Sequence, residues 1–156
     1  MEIRQHLIDV FQFNDQANRR MIAKIRSLPN PAEPVRFISH MINSQNKWMA
    51  RILQYPNAPK MDWWEPVYKL DDLEPEWGTS VTRWITFLEM KEEPQLFEEV
   101  YFIGKDDGRW SAPLKDIALQ LNYHSFHHRA QIQMMIRSQG VEPDFIDYIG
   151  ASYKKL

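Results

Sequence analysis

The chain has no cysteine among its 156 residues. That absence excludes disulfides, cysteine metal ligands and a cysteine nucleophile together, and leaves histidine as the borderline-soft ligand at its disposal. A run of one charge is missing too: 19 Lys and Arg stand against 21 Asp and Glu, for a formal net charge of −2, and the basic residues are dispersed. No nucleic-acid surface is expected from such a balance. No apolar run reaches membrane-spanning length and no signal-peptide pattern is present, so no membrane is expected and the default location is cytoplasmic. Glycine is scarce, with 5 residues. Neither a Gly-rich phosphate loop nor a recognisable Ser-His-Asp order occurs, which leaves those enzyme classes unsupported. Repeats, low-complexity tracts and linkers are absent as well, and the length suits one substantial core rather than two, so residues 1–156 are expected to form a single domain.

Helical periodicity is what fills the chain. From Glu2 to about Leu28, Ile3, Leu7, Val10, Met21 and Ile25 share a face with Asn14, and Pro29-Asn30-Pro31 ends the segment. A second segment runs from about Glu33 to Tyr55, with Ile38, Met41, Ile42, Trp48, Met49 and Ile52 in a broad apolar arc and His40 at its edge. After a loop holding Trp63-Trp64-Glu65-Pro66, a third runs from roughly Asp72 to Met90, where Trp77, Val81, Trp84 and Leu88 repeat at helical spacing. Phe97–Ile103 and Arg109-Trp110, joined through Gly104 and Asp106-Asp107-Gly108, then read as a short hairpin. Ser111 is placed to cap the last helix, with Pro113 in its first turn and Gly140 just past its end. Four long helices, short connections and one longer crossover describe an all-α four-helix bundle with a β-hairpin before the last helix.

The last helix holds three of the five histidines within five positions: His124, His127 and His128. Residues four apart lie one turn above each other, so the imidazoles of His124 and His128 can converge on one point. They also interrupt the apolar stripe of Leu114, Ile117, Leu121, Ile132 and Met135, which should face the core. A buried imidazole needs partners for its ring nitrogens, and a shared divalent ion would satisfy two at once. His127 falls about 80° from Ile117, at the rim of that stripe. A third ligand is needed, because sites that keep an open position usually have three protein ligands. His40, inside its helix, is favoured by spacing over His6, which lies near the start of the chain. On the opposite side of the last helix, Leu119, Tyr123, Phe126, Ala130 and Met134 form a second apolar stripe, read as a homodimer contact or, failing that, a contact with a neighbouring helix.

The sequence resembles the DinB-like four-helix-bundle proteins, a superfamily that includes bacterial low-molecular-weight-thiol transferases and mycothiol-dependent maleylpyruvate isomerases. Its strongest match is His124-Ser125-Phe126-His127-His128-Arg129-Ala130-Gln131-Ile132, followed by Arg137, Gly140, Pro143 and Asp147. Phe13-Asn14-Asp15-Gln16-Ala17-Asn18 resembles the first-helix motif and Ser39-His40-Met41 the second-helix histidine. The resemblance implies that His40, His124 and His128 surround one divalent cation, zinc, nickel or iron, with solvent or substrate completing the shell. Ala130 stands where the family signature usually has glycine, and it falls on the second apolar stripe, away from the metal. An ion held by three neutral imidazoles keeps its positive charge and stabilises a bound anion. With no thiol in the chain, the resemblance to thiol-transfer enzymes suggests a small-molecule thiol that joins an electrophile in a pocket walled by Asn14, Ser44 and Trp48. Each of the three also suits a plain core role, a hydrogen bond for the polar pair and packing for the tryptophan. A metal-dependent hydrolase and a non-enzymatic metal-binding stress protein share the same expected ligand set.

Overall fold

A computed structural model describes residues 2–156. Its helices are α1 (Ile3–Ile25), α2 (Ala32–Ile52), α3 (Leu73–Glu89) and α4 (Leu114–Ser138). Strands β1 (Glu99–Ile103) and β2 (Arg109–Pro113) form an antiparallel hairpin before α4. Helices α1 and α2 each pack on both α3 and α4 and touch one another little, so they stand diagonally across the bundle. Helix α4 is thereby flanked by α1 on one side and α2 on the other.

The core follows the apolar spacing of the helices. Trp77, Val81, Trp84 and Leu88 are all fully buried on α3, and the Trp84 ring stacks on Phe11 at 5.5 Å while its indole N–H donates to the Gln45 carbonyl. Loss of such a side chain to alanine costs about 3–5 kcal/mol in a packed interior. On α1 the buried face is broader than the expected stripe: Leu7, Asn14, Met21 and Ile25 are buried as expected, Ile8, Phe11 and Ile22 are buried as well, and Val10 is only half-buried. The cause is that α1 must serve two neighbours, α3 and α4, and a stripe centred on one position cannot. Trp48 likewise leaves the bundle interior, packing edge-on against Phe102 of the hairpin at 4.9 Å.

The end of α4 is a Schellman turn. Gly140 takes φ +76°, its N–H bonds the Arg137 carbonyl, and the Val141 N–H reaches Ile136. The start of α4 differs from expectation. Ser111 does not cap it; it pairs with Tyr101 inside β2, and the helix begins at Leu114 directly after Pro113. The strand runs straight into the helix, with the Leu114 N–H bonded to the Glu98 carbonyl across the hairpin. At the tip, the Trp110 ring lies so close over Gly104 that a Cβ there would sit 2.4 Å from it. The hairpin leans on the end of α2, where Arg51 and Gln54 donate to the carbonyls of Ile103 and Tyr101. No helix among the described residues is long and apolar enough to cross a membrane.

Candidate metal centre

Where α2 faces α4, three imidazoles meet. His124 and His128, one turn apart on α4, bring their Nε2 atoms to 2.9 Å, and His40 from α2 places its Nε2 2.9 Å from that of His124. The outer nitrogens of two rings are already committed. The Nδ1–H of His40 donates to the Trp63 carbonyl at 2.7 Å and that of His128 to Gln131 Oε1 at 2.6 Å. Those bonds fix the tautomer, because a neutral imidazole protonated at Nδ1 presents a lone pair at Nε2.

Two lone pairs therefore point at His124, whose Nε2 carries at most one hydrogen. One of the two 2.9 Å contacts can be a hydrogen bond; the other lone pair then faces a nitrogen with no second hydrogen to give. Protonating a ring does not relieve the conflict cheaply, since burial and the neighbouring imidazoles push His124 down to about 3. Burial is also the leading cause that lowers His40 and His128, opposed in each by the hydrogen bond at Nδ1. The three rings thus form a neutral, electron-rich cluster that could hold a metal ion, and among the described residues no carboxylate or further histidine joins it.

A loop closes one side of the cluster. Trp64 stacks on His40 at 3.8 Å with its plane tilted by 10°, and Phe37 stands edge-on to His128 at 5.2 Å. Asp62 fixes the loop by accepting the N–H groups of Trp64 and Glu65, and Asn43 donates to the Pro66 carbonyl. These aromatic walls limit water around the nitrogens and help keep them uncharged.

The other expected site residues are dispersed. Ser44 is buried, but its hydroxyl is turned back onto the His40 carbonyl at 2.8 Å. Trp48 lies farther along α2 against Trp63 and the hairpin. Asn14 sits on the α1 side of α4, hydrogen-bonded to Asn122 and Arg129. His127 is exposed at the rim, its ring 5.1 Å from that of His128, and His6 lines a groove between α1 and α4. Along the second stripe of α4, Tyr123, Phe126, Ala130 and Met134 are exposed and Leu119 is half-buried, so no neighbouring helix covers it.

Three contributors escaped the sequence reading. Gln131 had a signal: three residues after His128, it lies on the same helical face. Trp63 and Trp64 had none, because a loop has no period from which to place a carbonyl or a ring. Set beside known proteins, the chain matches the sequence model described as DinB family over residues 3–155, nearly its whole length. No curated protein and no solved structure matches it.

Proposed function

The chain belongs to the DinB family, and from that membership we propose that His40, His124 and His128 hold one divalent cation and that the protein is a metal-dependent transferase joining a small-molecule thiol to an electrophile. One observation supports the metal reading above the others: three neutral imidazoles direct more lone pairs at a common point than the available protons can satisfy. A cation at that point would accept those lone pairs together. The donor set suits zinc, nickel or iron, all of which accept imidazole. Such an ion, when bound, lowers the pKa of a coordinated acid and stabilises the anion that results.

The chain's own residues do the rest. The Trp63 carbonyl and Gln131 orient His40 and His128 and make them more basic ligands. Trp64 and Phe37 shield the rings from water. Among the described residues no Asp or Glu joins the cluster, so ionisation of a bound acid would fall to the cation itself, which serves a thiol and a water alike. The thiol is preferred because a thiolate is the stronger nucleophile at neutral pH and because of the resemblance to thiol-transfer enzymes. With no cysteine in the chain, the thiol arrives with a cosubstrate.

A cobalt-substituted protein tests this. A low-molecular-weight thiol should produce a sulfur-to-metal charge-transfer band that the His124→Ala variant lacks, and thiol consumption with a reactive electrophile should exceed the uncatalysed rate only with metal present. Metal-dependent cleavage of an ester, with no thiol response, would replace the transferase by a hydrolase. Failure of both would leave a non-enzymatic metal-binding protein.

A further inference from the structure

Beyond the histidines, α2 carries two more buried polar heads on the same side. Lys47 and Arg51 follow His40 by seven and eleven residues, within about 20° of it around the helix and about 10 and 16 Å along the axis. Lys47 is 5% exposed and Arg51 8%. Neither forms an ion pair with a carboxylate among the described residues. Lys47 donates to the Met61 carbonyl and one terminal nitrogen of Arg51 donates to Ile103, while Arg51 Nε has no partner at all.

Both cations line a cleft of about 1080 Å³ between the Trp63 loop and the hairpin, with Trp63, Trp110, Lys60 and Lys105 around it. The Trp63 ring lies 4.6 Å from the Lys47 ammonium and 5.1 Å from the Arg51 guanidinium. Asp62 and Asp106 also border the cleft, but each has an oxygen spent on local N–H groups, Asp62 on Trp64 and Glu65, Asp106 on Gly108 and the Trp110 indole. Clamping two carbonyls would need no charge, since a neutral glutamine donates as well. Burying two like charges one turn apart with no ion-paired acid is costly: burial depresses both, and on Lys47 Arg51 adds to that effect while Asp62 offsets only part of it. An incoming anion removes that cost.

We infer that this cleft is an anion site, which takes the carboxylate or phosphate group of the small-molecule substrate whose reactive end reaches the three histidines. The anion site stands on Lys47, Arg51 and the cleft alone; its link to the reactive end rests on the metal-centre reading. Trp63 joins the two places physically, its carbonyl holding His40 and its ring lying against both cations.

The test uses metal-free protein and two thiol-free probes, citrate and inorganic phosphate, each titrated at constant ionic strength against chloride. Saturable binding of one of them is expected, with the indole N–H resonances of Trp63 and Trp110 shifting among the six tryptophans, and the probe that binds identifies carboxylate or phosphate. Affinity should fall at least tenfold in Lys47→Met and Arg51→Met and persist in Lys47→Arg. Absence of saturation with both probes, or shifts confined to other tryptophans, overturns the inference even if the methionine variants do not fold. A separate arm compares glutathione with uncharged 2-mercaptoethanol on the metal-loaded protein. Arg51→Met should weaken only glutathione, about tenfold; equal weakening of both thiols overturns the link. Failure of both thiols to engage the metal would refute the thiol reading and leave the citrate and phosphate result standing.

Discussion

Helix α4 buries polar groups on two sides, and the two sides differ in whether they can satisfy themselves. Toward α1, the Arg129 guanidinium is enclosed by the oxygens of Asn14, Asn18 and Ser125, Asn14 and Asn18 donate in turn to Asn122 and Ser125, and Asn122 donates to the Ala118 carbonyl. Donors and acceptors alternate there, so the seam closes on itself. Burial lowers Arg129 to about 10, which still leaves it charged at neutral pH, held by neutral oxygens. Toward α2, three imidazoles present lone pairs with too few protons between them. A polar interior that closes is a joint between helices; one that cannot close on itself has the means to take a ligand. The cleft at Lys47 and Arg51 belongs with the second kind, in charge rather than in protons.

The largest effect should come from breaking the closed side. Asn14→Leu removes the main acceptor of a buried guanidinium and a partner of Asn122, which should destabilise the protein by about 3 kcal/mol. Chemical denaturation measures this, and metal content should be unchanged. On the open side, Gln131→Leu frees Nδ1 of His128 and should weaken metal affinity about 10–100-fold with little change in the stability of the metal-free protein, as read by competition with a chelator. If Asn14→Leu lost the metal instead, the two sides would be one network.

Acid separates the sides again. The folded chain holds His40, His124 and His128 below their ordinary value of 6.5, so the unfolded chain takes up more protons as the pH falls through that value. Stability of the metal-free protein is therefore full above about 6.5 and is lost as the pH drops from there toward 3, the value to which His124 is pushed. A His124→Gln variant should flatten this dependence in thermal melts between pH 7 and 5, whereas Asn14→Leu should only displace it. The smallest effect on stability, within about 0.5 kcal/mol, is expected for Tyr123→Glu or Phe126→Glu, because both side chains are exposed. Their consequence lies in assembly: if the stripe joins two copies of the chain, light scattering should show a dimer for the unmodified protein and a smaller species for these variants.

Much of this contrast was legible in the chain itself. Four helices, the hairpin and the glycine that ends α4 follow from periodicity and turn chemistry, which are local. His124 and His128 could be paired by spacing alone. His40 could not, because nothing in its own helix says which neighbour it faces; the diagonal placement of α1 and α2 decides that. Ser111 misled because a strand that passes directly into a helix leaves no capping box to separate the two. The closed seam was visible only as isolated residues, Asn14 in a stripe and Arg129 beside a histidine, since its partners lie more than a hundred residues apart.

Elemental analysis of purified protein after loading with zinc and removal of the excess tests the central claim most directly. The unmodified chain, His6→Ala and His127→Ala should each carry close to one ion, and His40→Ala, His124→Ala and His128→Ala should lose most of it. Full occupancy in His128→Ala would contradict the assignment of the three histidines as a single metal centre.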